Sequence, residues 1–323
     1  MFNKYLPTDE NSLLQNIENI TNVKNIDNVS RTSAYQGYYQ KHKDIQWSFL
    51  ASMVSRNAGW NMCDLEGDLF PEILEPSVRQ RLFLTYERAN WLIFKDAYPQ
   101  LLLYHYSTKL KKPMFHLLEF FHVSSFMQRE WMLYWHSRDS RRLMNALIVN
   151  EQNVIQEPVI KNHLYQRKVF HTAMFSFQDW FHFSSALFPT CNGELFGASV
   201  NGFKSIDKRI DLGKRLANIL FNPRLYPDFF EFAIRTAHTG SRHDYEQYFP
   251  YRKRRETPFL RMTYPVVKHH IHKWTDWSLR KKIKSKWFEG EINHKHPLQI
   301  TDWYERKQAQ LKGFIYLKKG FFR

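Results

Sequence analysis

Aromatic bulk is the strongest constraint on how this chain folds. Its 27 Phe, 17 Tyr and 10 Trp make up 17% of 323 residues, and each ring is buried cheaply only if its indole N–H or phenol O–H also finds a partner. The core must therefore be wide and partly polar. Glycine is scarce, at 11 residues, so helices rather than a many-stranded sheet with tight turns are expected to build that core. No repeated unit of roughly 30–45 residues is visible, which leaves a mainly α, multi-helix globular bundle with at most a short β-hairpin as the expected fold.

Apolar spacing places a first helix over 33–57, where Ile45, Trp47, Phe49, Leu50, Met53 and Val54 fall on one broad arc and Gly59 stands at the position of a left-handed cap. Two polar residues interrupt the arc: Arg56 projects between Ile45 and Phe49, and Asn57 between Leu50 and Met53. A second helix is predicted over 77–98, with Ser77 as N-cap and Pro99 as its stop or kink. On its apolar side Asn90 falls between Ala97 and Phe83, and Glu87 between Phe94 and Tyr98. A carboxylate so placed needs a cation or a shifted pKa, and Arg56 is its candidate partner. Further helices are expected over 114–135, 138–150, 168–187, 205–221 and 226–237, with a hairpin in 194–203. Residues 1–28 read as a loosely ordered arm despite Leu13, Leu14, Ile17 and Ile20. Residues 29–250 form the expected main helical domain, and 251–323 a basic, aromatic-rich subdomain packed on it.

Charge is unevenly placed. Residues 251–323 hold 19 Lys and Arg against 6 Asp and Glu, an excess of +13 in a chain of net +16. Such asymmetry points to an anionic partner, nucleic acid or a membrane surface. Basic and aromatic residues alternate in 279–288, making Lys281, Lys282, Lys284, Lys286 and Trp287 the candidate anion-binding surface. Docking of the tail's large Trp and Phe side chains onto the core, lysines outward, explains the same pattern. Cys63 and Cys191 are too few for a disulfide framework. The longest uncharged run, 180–193, is fourteen residues interrupted by Pro189, short of the roughly 18 a spanning helix needs. With no signal-like apolar segment near residue 1, a cytoplasmic setting is expected.

Four segments, 28–32 (NVSRT), 53–62 (MVSRNAGWNM), 87–99 (ERANWLIFKDAYP) and 238–250 (HTGSRHDYEQYFP), resemble the YppC-like family of uncharacterised proteins from Bacillus and related bacteria. The resemblance spans roughly residues 28–287 and implies a bacterial cytoplasmic protein. It carries no assigned activity and so no catalytic residues.

Catalytic and metal motifs are weak. Glu119–His122 has the E-x-x-H spacing of di-iron bundles, but the second instance, Glu291–His294, lies in a polar stretch near Pro297. His243-Asp244 lacks an upstream histidine at metal spacing, His238 being only five residues before it. His171, Asp179 and His182 share one side of a predicted helix, and His269, His270 and His272 sit among lysines. Ser199 misses the G-x-S-x-G elbow because Asn201 replaces its second glycine. No Walker loop or dinucleotide fingerprint is present, so no metal set or cofactor is predicted. The most pointed constellation is Arg56, Asn57, Glu87 and Asn90, joined by Arg242 and Asp244. Arginine forks hold oxyanions, so these six could line a ligand pocket, while a closed ion-pair network fixing helix packing is the preferred explanation. The expected function is binding of an anionic partner through the basic face; the alternative is an enzyme or small-molecule binder at the Arg56 cluster.

Overall fold

A computed structural model describes residues 9–57, 62–161, 185–199, 205–251, 253–271, 274–289 and 298–321. The polar start of the chain carries its own helix signals. Asp9 accepts from the Ser12 amide at 2.9 Å, satisfying one orphan donor of a helix start, and helix α1 follows over Glu10–Lys24. Leu13 and Ile17 are buried, and Asn16 donates to the Tyr106 hydroxyl at 2.8 Å. From residue 10, then, the expected loose arm is a docked amphipathic helix.

The helix expected over 33–57 is two helices, α2 at Asn28–Tyr39 and α3 at Gln46–Arg56. Between them the Lys41 and His42 amides both reach the Tyr38 carbonyl at 3.0 Å. Folding back lets both aromatic faces share one core, with Tyr39 stacked on Phe49 at 4.8 Å. Neither Gly nor Pro marks this break, so periodicity alone runs through it. The opposite happens at Pro99. Helix α4 spans Pro76–Leu110 with Pro99 inside it; an interior proline costs about 3 kcal/mol, but Leu101, Leu102 and Leu103 are wholly buried just beyond, each contributing about 1.5–3 kcal/mol. The start is set by Pro76 at the first position rather than by Ser77, and Glu75 occupies the cap without a side-chain bond.

Residues 114–135 likewise divide. A 3-10 segment, Phe115–Phe121, ends at His122 in left-handed backbone (φ 58°), and α5 runs over Ser125–Ser137 from the Ser124 cap. Helix α6, Ser140–Val154, is capped by Asp139, and α7, Ile206–Leu220, by Ser205; α8 covers Tyr226–Arg235 and α9 Thr301–Phe321. The helix expected over 168–187 lies outside the described residues except at 185–187, which are strand.

Strands β1, Ser185–Pro189, and β2, Leu195–Ser199, form an antiparallel hairpin, earlier in the chain than the 194–203 pattern suggested. Its edge is covered: Gly197 N–H donates to the Leu298 carbonyl at 3.1 Å, and Ile300 N–H to the Leu195 carbonyl at 2.8 Å. Gly197 has φ 149°, and a Cβ there would lie 2.0 Å from the Ala186 carbonyl oxygen. Gly197→Ala is therefore expected to cost about 1–3 kcal/mol, read as a lower denaturant midpoint at unchanged helical circular dichroism.

The basic segment is folded into this frame. Trp277 and Trp287 belong to the same apolar cluster as Leu13, Trp47, Trp131 and Phe229, with Trp277 Nε1 donating to Asn150 Oδ1 at 2.9 Å and Trp287 Nε1 to Asp207 Oδ1 at 2.8 Å. These two large rings of the tail dock, as their size requires.

Candidate functional site

Arg242 is the centre of the largest buried charge network. Its side chain is 1% exposed; Nε reaches Asp64 Oδ1 at 2.5 Å and one terminal nitrogen reaches Glu246 Oε1 at 2.9 Å, while Glu256 Oε2 lies 3.5 Å from the other. Tyr304 on α9 donates to Glu246 Oε1 at 2.9 Å, and Lys253 Nζ is 2.5 Å from the same atom. Burial opposes ionisation of Glu246, but the Arg242 and Lys253 cations outweigh it and hold the carboxyl below its ordinary value. With Lys312 paired to Glu256, the three carboxylates face three cations, which is what a structural network requires.

Glu87 does not pair with Arg56. Its partner is Arg31 on α2, whose other terminal nitrogen donates to Asn25 Oδ1 at 3.2 Å; His269 Nε2 stands 3.7 Å from the same carboxylate. Asn90 contacts Asn28 Oδ1 at 3.4 Å, and Asn28 in turn donates to the Ser55 carbonyl at 2.8 Å. Helix α2 thus stands between the two helices whose polar residues were expected to meet. A wheel projection gives direction but not which helix lies opposite, so the Arg56–Glu87 pairing is replaced by Arg31–Glu87.

Arg56 and Asp244 both lie near a buried histidine, His238, and Asn57 follows Arg56 in the chain. One Arg56 terminal nitrogen donates to the Thr236 carbonyl and the other to the Ala233 carbonyl at 3.3 Å, at the C-terminal end of α8, and the guanidinium lies 4.8 Å over the Phe232 ring. Burial lowers its pKa to about 10. Asp244 accepts from the Thr239 amide at 2.8 Å and its hydroxyl at 2.5 Å, with His238 Nδ1 3.4 Å from Oδ2. The His238 side chain is 5% exposed, and burial, helped by the nearby Arg56 charge and opposed by Asp244, depresses its pKa. Among the described residues, His238 Nε2, Arg56 Nε and Asn57 Oδ1 have no hydrogen-bond partner, while His238 Nδ1 faces Asp244. The Asn57 amide nitrogen contacts the Met53 carbonyl at 3.3 Å.

The expected anion-binding surface is met by a single carboxylate, which offsets part of its charge. Lys284 and Lys286 lie 2.9 and 2.8 Å from Asp207 Oδ2, and Trp287 is buried with its N–H on the same carboxylate. Burial would raise the Asp207 pKa, yet these three donors drive it far below the ordinary range. Lys281 donates to Asn153 Oδ1 at 3.1 Å, and Lys282 is exposed. Arg261 pairs with Asp27, the cap of α2, at 2.7 Å, and Lys312 with Glu256. Part of the tail's positive charge thus holds it to acidic residues, Asp207 and Asp27 among the first 250.

Among the described residues no group of three or more His, Cys, Asp or Glu side chains is arranged to hold a metal. His122 is exposed and stacks on Trp274 at 5.1 Å. His171, Asp179, His182, His272, Glu291 and His294 lie outside the described residues. Sequence reading also missed an interior polar group: Asp96 Oδ1 accepts from Asn150 at 2.5 Å and Gln100 at 2.7 Å, Gln100 accepts from Trp131 Nε1 at 2.8 Å, and Asn150 accepts from Trp277. The available signal was that, at 100° per residue, Asp96 projects beside Ala89 on the apolar side of the helix.

Against known proteins, the model of a protein of unknown function, DUF2515, matches residues 23–305, a span holding Arg56, Asn57, His238, Arg242 and Asp244. The chain is 50% identical over 304 residues to the uncharacterized protein YppC of Bacillus subtilis (strain 168), covering 94% of each chain. No solved structure matches. The chain therefore belongs to the DUF2515 family.

Proposed function

We propose that this protein is a peripheral binder of anionic membrane surfaces, with the outer side of α9 and the neighbouring 254–268 segment as the contact. One observation carries the reading: apolar side chains stand exposed on the same elements as cations that have no carboxylate partner among the described residues, in a chain of net +16. Tyr316 and Leu317 on α9 are 77% and 64% exposed, and Met262 is 84% exposed. Leu311 and Ile315 of α9 share a core cluster with Leu260, Tyr264 and Val267, so the two segments are neighbours. Arg254, Arg255, Lys268 and Arg306 are exposed on the same elements. Cations beside aliphatic and aromatic groups match a headgroup layer over its acyl boundary. Nucleic acid is the weaker match, because Met262, Val266 and Leu317 cannot stack on bases and the tail's Trp277 and Trp287 are buried. No described helix is long and apolar enough to cross a membrane, in keeping with a contact at the surface.

Flotation with phosphatidylglycerol/phosphatidylcholine vesicles tests this. Retention is expected at low salt, weakened as salt screens the charges, absent with phosphatidylcholine alone, and reduced about tenfold by Leu317→Asp with Met262→Asp. No retention at low salt, indifference to lipid charge, or binding to polynucleotide without binding to vesicles overturns the reading.

A further inference from the structure

Helix α9 is tied to the body mainly along its first part. Ile300 N–H donates to the Leu195 carbonyl just before it, Leu195 N–H donates to Thr301 Oγ1 at 3.0 Å, Tyr251 donates to Glu305 Oε1 at 2.9 Å, and Tyr304 enters the Arg242 network. Farther along, Lys312 pairs with Glu256. Tyr304, Gln308, Leu311 and Ile315 are the buried side of the helix, projecting within about 60° of one another. Among the described side chains beyond Lys312, Ile315 alone is buried, while Phe314, Tyr316 and Leu317 are 42%, 77% and 64% exposed.

Gly313 stands at that boundary. It lies inside the helix, and a Cβ there would meet nothing within 4 Å. No close approach calls for glycine, and alanine would favour a continuous helix about fivefold. Beyond it Phe314, Ile315, Tyr316 and Leu317 follow one another without a polar residue, each turned about 100° from the last. A turn that is apolar all round is the pattern of an immersed helix rather than of a surface one. While the helix is docked, Ile315 faces the core cluster that holds Leu260 and Leu311, so a flat layer outside cannot reach it together with Phe314 and Leu317. A segment lifted from the body can bring all four side chains to the headgroup–acyl boundary, where lipid replaces the burial that Ile315 gives up.

We infer that Gly313 is a hinge at which the last turns of α9 break from the body on an anionic membrane and immerse Phe314, Ile315, Tyr316 and Leu317 in its interface. The inference rests on the membrane reading above and adds to it a moving part. Thr301 to Lys312 stay docked through Tyr304, Leu311 and the Lys312–Glu256 pair, so the body keeps its fold while the end of the helix swings.

Partition of the full chain onto phosphatidylglycerol/phosphatidylcholine vesicles tests the hinge through two substitutions at one exposed position. Gly313→Ala, which stiffens the helix, is expected to weaken partition about fivefold even though it adds a methyl group. Gly313→Pro, which breaks the helix at the same point, is expected to bind at least as well as the wild type. A rigid α9 that presents only its outer side predicts the reverse order. Near-ultraviolet circular dichroism checks that the body is unchanged. Should the proline variant unfold, the Ile315 methyl resonance of the wild-type chain supplies the readout: spin-labelled lipid in bicelles of the same composition must broaden it together with those of Leu317. Wild-type retention with equal partition of folded variants, with the reverse order, or with an Ile315 methyl that lipid does not reach overturns the hinge and leaves the membrane reading standing. A wild-type chain that is not retained at low salt overturns both.

Discussion

Arg242→Met is expected to destabilise the protein by about 3–5 kcal/mol, the usual cost of removing one partner of a buried ion pair. Methionine fills much of the volume, so the loss is electrostatic. Asp64 and Glu246, each 1% exposed in their side chains, would keep their burial and lose the cation between them. Glu246 would retain Lys253 and Tyr304, while Asp64 would lose its 2.5 Å contact outright. The pH dependence follows from Glu246. Its folded pKa is lowered, so its contribution is present above the unfolded value of about 4.5 and is lost as pH falls through the folded one. The variant's deficit should therefore narrow in acid. Urea denaturation of both proteins at neutral pH and at steps below the unfolded value measures it; a deficit below about 1 kcal/mol at neutral pH would mean that water reaches the network and screens it.

Asp96→Asn should act in the other direction. Among the described residues no cation pairs with the buried Asp96, and burial raises its pKa to about 7 despite the hydrogen bonds from Asn150 and Gln100. The folded state thus binds the proton more tightly than the unfolded one, so Asp96 costs stability increasingly as pH rises from about 4 to about 7. Asparagine has nearly the same shape and never ionises. The substitution is expected to be near neutral at pH ~4 and stabilising by about 2–4 kcal/mol at pH ~8, at about 1.4 kcal/mol per unit. The difference between variant and wild type is the proper readout. His105, its pKa pushed down to about 4 by burial, makes stability rise with pH between about 4 and 6.5 in both proteins and cancels in the difference. A variant gain independent of pH would show that Asp96 stays ionised throughout.

Local chemistry accounts for what was legible. Ser205 and the amphipathic run after it predict α7 within a residue or two of its observed limits, and Pro227 just inside α8 agrees with the 226–237 expectation. Scarce glycine and abundant rings predict helices around a polar-tipped aromatic core, and the Trp131, Trp277 and Trp287 N–H bonds are its polar tips. Breaks without Gly or Pro, at 40–45 and at His122, were not legible, because tertiary packing rather than backbone preference makes them. Pro99 misled for the converse reason: burial beyond it outweighs the proline penalty.

At the candidate sites, wheel projection correctly turned Arg56, Asn57 and Glu87 inward, since all three are buried. It could not name their partners. Arg31 meets Glu87 from 56 residues away, and Arg242 meets Asp64 from 178 residues away, distances along the chain that only the packing of helices closes. The basic tail shows the same division. Its composition determined that it would seek negative charge; the fold decided that Asp207, Glu246 and Asp27 would meet part of that demand from within. Helix faces and caps are properties of a few consecutive residues and can be read from them. Which charge lies against which is a property of how the faces meet, and the electrostatic energy that settles it falls off within a few ångströms of contact.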